Sequence, residues 1–280
     1  MAITLNTDTG SSFAVGQLRE SDSKLTAVLE RIATGRRINR AADDAAGLTI
    51  ADGLTSQARG FGQAMRNASD AIAMSQIAGG ALGQTTELVQ TIREKALQAA
   101  NASQSTASRQ ALQADIDKAI AQVDSIAQNT TYNGQPLLSG TFSGKSFQVG
   151  AGAGETVRLS LASAASDQLG SEQTGFLSSI NVLTEEGAQQ AIKISDEALA
   201  QVNVSQGEIG STQNQLKSTI NNLATSELNT LSAASTITDV DLAEEVMNFT
   251  AMKVLTEVKA FALAQTKNMS RQNVLSLLQG

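Results

Sequence analysis

The sequence contains no cysteine, no histidine, no tryptophan and a single proline. Without cysteine there is no disulfide and no thiol nucleophile. Without histidine there is no imidazole base, and the usual zinc ligand sets are gone as well. One proline in 280 residues, Pro136, leaves long stretches free to be helical. Seven phenylalanines and one tyrosine argue against a core of bulky rings and for aliphatic seams between rods. A net charge of −7 speaks against a general nucleic-acid binder. No run approaches the roughly 18 apolar residues of a membrane span, so no membrane insertion is expected. Met1 to Leu18 lacks the basic start and apolar centre of a cleaved signal peptide. That leaves two readings, a cytoplasmic protein or one exported without a cleaved signal. A thiol-free chain suits the second, because it cannot be cross-linked on the way out.

What is present is helical periodicity. Asp239 to Gly280 runs without proline, and Met247, Ala251, Val254, Val258 and Phe261 follow a four-three spacing. That spacing draws an apolar seam along one side of a helix. Asp241 is placed to cap it, with Glu244 three residues on and Glu245 in the first turn, where the helix dipole favours negative charge. Such a rod, about 60 Å long at 1.5 Å per residue, needs a partner of similar length. Val15, Leu18, Leu25, Leu29 and Ile32 give the same spacing near the start, with Asp22 as a misfit. The two ends are therefore expected to pair. Residues 1 to about 12 are polar and expected to be loosely held.

Gly35 is placed to end the first helix. Arg36, Arg37 and Arg40 precede Asp43 and Asp44, with Asn39 as a candidate cap. Nothing nearby offers these carboxylates a partner base or ligand, so a catalytic pair is disfavoured. Ala45 to about Asn101 reads as one long helix with Ile50, Leu54, Phe61, Ala64, Ala68, Ile72 and Leu82 on its apolar face, weakened locally at Gly79, Gly80 and Gly83. Ser103 to Ser108 is a connector. Leu112, Ile116, Ala119, Val123 and Ile126 form a third seam.

The character changes at Asn129. Tyr132-Asn133-Gly134 is a turn signal, and Ser146–Val149 and Glu155–Leu161 alternate like strands. The glycines from Gly150 to Gly154 lie between strands, so they read as a hairpin turn; a phosphate-binding loop would open a helix. Ala164–Gly187 is a weakly patterned joint. Leu199, Val202, Ile209, Leu216, Ile220 and Leu223 make a fourth seam, interrupted by Gln206 and Gln213, which would fix register. Ser232–Thr238 leads into the terminal helix. The fold class expected is mainly α: long antiparallel coiled-coil helices with a small β-hairpin region at the far end of the rod.

Several strings in this order resemble bacterial flagellin over nearly the whole chain. They are Leu29–Asn39, Asp43–Leu48 with Ile50–Gln57, Arg93-Glu94 with Gln98–Asn101, Tyr132–Gly134 with Leu137-Leu138, Ser218–Leu223 and the ending Val274–Gln279. The resemblance implies a secreted structural subunit of the extracellular flagellar filament, used for swimming, with no cofactor and no enzymatic activity. It implies an inner terminal coiled coil at about 1–40 plus 240–280. It also implies an outer helical rod at 41–239, with the hairpin patch at about 129–162 and the short joint at 164–187 in place of outer domains. Partners implied are further copies of the chain in an open helical homopolymer, a flagellar export chaperone on the C-terminal seam, the type III export apparatus, and the filament cap and hook-associated proteins.

Some flagellins carry a metalloprotease insert, which needs two histidines absent here. A hook–filament junction protein shares the terminal seams, but the Asp43–Gln57 block favours the filament protein. A type III translocator would need apolar spans. In many flagellins a patch before the position of Asn101 is read by a vertebrate innate receptor through an arginine and a leucine. The matching positions here carry Thr91 and Lys95, while Arg93 and Gln98 remain, so weak receptor activation is expected. Ser232–Ile237 also lacks the arginines common there.

Overall fold

The computed structural model describes the backbone of residues 9–278, and the side chains of 10–269 and 271–272. Its contacts divide into two compact units, residues 1–56 with 229–280, and residues 57–228. The polar residues Asn6 to Asp8, and the side chains of the Val274–Gln279 ending, lie outside what is described.

In the first unit, α1 (Thr9–Thr34) packs along α5 (Leu242–Leu278). The pair is antiparallel, because Arg31 meets Glu245 while Ser21 meets Lys259. Helix α1 begins at Thr9, so Gly10 to Ser12, expected to be loose, are helical. It stops at Gly35, whose φ of +68° suits a residue without Cβ. Asp241 caps α5 by accepting the N–H groups of Ala243 at 2.9 Å and Glu244 at 3.3 Å. The rest of this unit comes from the first turns of α2 (Ala45–Ala99) and the last turns of α4 (Glu185–Thr238). Residues 232–238, read as a lead-in, are helical and close α4.

In the second unit, α2 buries Ala68, Ala71, Ser75, Ala78, Leu82, Thr85, Val89, Ile92, Ala96 and Ala99, each three or four residues after the last. Ile50, placed on this face from sequence, is exposed. The buried hydroxyls satisfy themselves one turn back: Ser75 donates to Ala71 O at 2.7 Å and Thr85 to Ala81 O at 3.1 Å. Helix α4 answers with Val202, Ile209, Leu216 and Leu223, all buried at sevenfold spacing. Gln206 interrupts that row and donates to Thr86 Oγ1 at 3.3 Å. Helix α3 (Thr106–Asn129), capped by Ser105, buries Leu112, Ile116, Ala119 and Val123, then Ala127 where Ile126 was expected.

Among the described residues the strands form three antiparallel hairpins: β1 (Thr131–Tyr132) with β2 (Gln135–Pro136), β3 (Lys145–Gln148) with β4 (Thr156–Leu159), and β5 (Gly170–Ser171) with β6 (Gly175–Phe176). Asn133 and Gly134 carry φ of 50° and 76°, the positive pair that a tight two-residue hairpin turn demands. The mainly helical class with small hairpins is as expected, but the β3–β4 hairpin is placed differently. It does not sit past the helix ends. Its Val149 and Val157 pack on Ala68 and Ala71 of α2 and Leu216 of α4, and Asn67 donates to Gln148 O at 2.9 Å.

The segment 164–184 is also more than a joint. Leu169, Leu177, Ile180 and Val182 are buried in the main core. Polar side chains of α3 and α4 grip its backbone. Gln113 donates to Ile180 O at 3.1 Å and accepts from Val182 N at 2.7 Å. Asp124 accepts from Ser166 N and Oγ at 2.8 and 2.9 Å. Gln201 brackets Gly170, accepting its N–H at 3.0 Å and donating to its carbonyl at 2.6 Å. Glu197 accepts from Thr174, which with Ser171 holds its carboxyl below the ordinary value of 4.5.

A group with a lowered folded pKa stabilises the fold above its unfolded pKa, and that contribution disappears as pH falls through the folded value. Glu197→Gln should therefore unfold at a lower temperature than the parent at neutral pH. The gap should close as the pH drops below 4.5. Thermal melts that differ equally at both ends of that range would contradict this assignment.

Candidate functional site

The terminal helices carry the features that call for a partner. On α1 the face toward α5 is formed by Ala14, Leu18, Ser21, Leu25, Val28 and Ile32, of which Ser21 and Val28 are buried and the others partly so. Ala14, Ser21 and Val28 repeat every seven residues, as do Leu18, Leu25 and Ile32. The seam read from sequence shares Leu18, Leu25 and Ile32 with this face, but has Val15, Asp22 and Leu29 where the structure has Ala14, Ser21 and Val28. Val15 is half-buried, but Asp22 and Leu29 are exposed. Asp22 is thus no misfit in a seam; it lies off the seam.

On α5 the inward row is Glu245, Phe249, Met252, Thr256, Lys259 and Leu263, again at four-three spacing. The row singled out from sequence lies on another face. Met247, Ala251, Val254, Val258 and Phe261 are all exposed, Met247 at 67% and Phe261 at 73%. Leu242, Val246 and Leu255 add further exposed apolar surface. The two ends pair, but through different α5 residues from those expected. Helix α5 is apolar on more than one side, so spacing alone did not say which side meets α1.

The connectors of this unit are stitched together. Arg36 and Asp239 form an antiparallel bridge, Arg37 N donates to Thr238 O at 2.6 Å, and the Arg37 guanidinium reaches Ile237 O at 2.7 Å. Arg40 forks onto Glu30 at 2.7 and 3.2 Å. Asp43 accepts the N–H groups of Asn39 and Arg40 at 3.1 and 3.0 Å, which lowers its pKa from the ordinary 3.8. Asp44 caps α2 through Gly47 N at 2.8 Å, the role assigned from sequence to Asn39, whose amide instead donates to Arg36 O at 3.1 Å. Both aspartates therefore hold backbone.

The four residues of the receptor-type patch are spread over the surface of α2. Thr91 and Gln98 are exposed. Arg93 pairs with Asp196 at 2.6 Å and Lys95 with Asp115 at 3.4 Å, so both cations are engaged within the second unit. Among the described residues no group of acidic side chains could hold a metal ion. No described helix is long and apolar enough to cross a membrane.

The terminal helices are paired and leave an apolar row uncovered on α5. The chain belongs to the bacterial flagellin family. The model of the bacterial flagellin N-terminal helical region matches residues 5–143, and that of the C-terminal helical region matches 192–278. The chain is 32% identical to the flagellar filament 33 kDa core protein of Treponema phagedenis, over 98% of this chain and 99% of that one. It is 33% identical to the flagellin of Bacillus subtilis, over 95% and 96% of the two chains. Among solved structures, a putative flagellar hook-associated protein from Vibrio parahaemolyticus shares the fold, with a TM-score of 0.59 at 16% identity, over 70% of this chain and 99% of that one.

Proposed function

We propose that this chain is the structural subunit of a flagellar filament, an open helical polymer of identical copies outside the cell. The observation that carries the reading is the exposed row Met247, Ala251, Val254, Val258 and Phe261 on a helix whose opposite side is already occupied by α1. A contact between unlike faces of identical subunits that does not close into a ring extends into an open helix. Residues 1–40 with 240–280 serve as the inner coiled coil and 41–239 as the outer part. Until a subunit is incorporated, its apolar row is an aggregation hazard. A cytoplasmic export chaperone covers it, and the type III apparatus delivers the chain to the growing tip beneath the cap protein. The role is mechanical and not enzymatic. Relatives named as flagellin or filament core protein match along almost their full length, which favours this reading over a hook–filament junction protein.

Electron microscopy of purified protein after seeding tests the proposal. Thin helical tubes are expected, and compact monomers that never elongate would refute it. Innate-receptor activation through the α2 patch should be weak, because Thr91 lacks a guanidinium fork and Lys95 puts a charge where an apolar contact is needed. Potency in a reporter-cell assay equal to that of a strongly activating flagellin would contradict this.

A further inference from the structure

The inward face of α5 is an unusual seam. Of its six positions, Glu245, Thr256 and Lys259 are polar, although the opposite face of the same helix is apolar. If apolar burial alone decided how α5 turns, these would be the residues left outside. Instead Ser21 is only 3% exposed and Glu245 only 6%. Ser21 Oγ donates to Gln17 O at 3.0 Å and accepts from Lys259 Nζ at 2.7 Å, so the hydroxyl is satisfied on both sides. Glu20, on the next position of α1, adds attraction for the same ammonium. Two heptads away along α5, Glu245 meets Arg31 at 3.5 Å.

The apolar part of this seam cannot choose its own register. Leu18, Leu25 and Ile32 repeat every seven residues, so a slide of one heptad presents α5 with the same kind of surface. The polar contacts are only partly periodic in that way: Lys24 lies one heptad before Arg31, but Ser21 is flanked at that spacing by Ala14 and Val28. A one-heptad slide of α5 one way sets Lys259 opposite Val28 and carries Glu245 past the end of α1 toward Ile38; the other way it sets Lys259 opposite Ala14, with Glu245 facing Lys24. A buried charge without its partner is strongly destabilising, whereas the intact pair adds little net stability; fixing register is the best-attested use of such groups.

We propose that Ser21–Lys259 and Arg31–Glu245 are a two-point register key. Together with the backbone bonds that tie the adjoining helix ends, the Arg36–Asp239 bridge and Val240 N to Gly35 O at 3.2 Å, they select one longitudinal alignment of α5 on α1 and so set where the exposed row Met247–Phe261 is presented. Through that last step the proposal rests on the filament reading. A slide of one heptad would move the row by about 10 Å, at 1.5 Å per residue.

The absence of cysteine makes the test direct. Spin labels on Ser12→Cys and Asn248→Cys, both at exposed positions, report the alignment in filaments grown from the full-length chain, with labelled copies diluted among unlabelled ones. The parent background should give one distance of about 25 Å along the axis. The double variant Glu245→Leu/Lys259→Leu should give two populations about 10 Å apart. The exchanged pair Arg31→Glu/Glu245→Arg, which keeps opposite charges facing, should give one. A single unshifted distance in the double leucine variant overturns the proposal. Failure of that variant to elongate, with elongation retained by the exchanged pair, supports it, because leucine in a seam does not weaken helix pairing. Failure of both overturns it. Absence of filaments from the parent chain counts against the filament reading and is seen separately by microscopy.

Discussion

Val254→Asp combined with Phe261→Asp should abolish elongation while the second unit stays folded. Both side chains are exposed in the single chain, Val254 at 54% and Phe261 at 73%, so neither change removes an internal contact of consequence. Residues 57–228 contain neither position. In a polymer both would be buried. Covering a valine or phenylalanine is worth about 1.5–3 kcal/mol, and burying an unpaired carboxylate in its place costs several kcal/mol more. A loss of at least about 3 kcal/mol per subunit corresponds to more than a hundredfold rise in critical concentration. Sedimentation of seeded samples measures this, with circular dichroism as the check on folding. Pelleting of the variant at the parent's concentration would show that this row is not the assembly surface.

Leu177→Ala should cost the second unit about 2–5 kcal/mol, the range for a fully buried leucine that leaves a cavity. Leu177 is 0% exposed and sits in one core with Leu169, Ile180 and Val182. A segment serving only as a connector would tolerate the change with no loss. Chemical denaturation monitored by circular dichroism separates the two cases, and an unchanged midpoint would mean that residues 164–184 are peripheral. The same measurement on Gln201→Ala gives a second view of the segment, since that change removes both bonds to Gly170.

The two predictions mark the limits of what periodicity reveals. The span of α2 and the sevenfold row Val202–Leu223 were legible, because a long proline-free repeat has one apolar side; of the α2 face read from sequence, Ala64, Ala68 and Leu82 are buried, Leu54, Phe61 and Ile72 partly so, and Ile50 is exposed. The β3–β4 hairpin was legible from the alternation of Val157, Leu159 and Leu161, all of which are buried. The buried side of α5 was not, because Glu245 and Lys259 are inward for reasons of pairing that hydropathy cannot express. Nor was the order in residues 164–184. Its anchors are single polar side chains on distant helices, Gln113, Asp124 and Gln201, gripping backbone groups with no sequence pattern of their own. Ser21 could have been found. The sevenfold echo of Ala14 and Val28 was the signal, and a preference for apolar letters hid it.

The gripped segment also determines where foreign sequence could be grafted onto this protein. Gly170–Ser171 and Gly175–Phe176 are paired, while Glu172 and Gln173 between them are exposed. A graft between those two residues lengthens a reversal whose ends are already held together, and each doubling of such a loop adds only about 0.6 kcal/mol of closure entropy. A graft a few residues later would split the anchored stretch around Leu177 and empty the core beneath it.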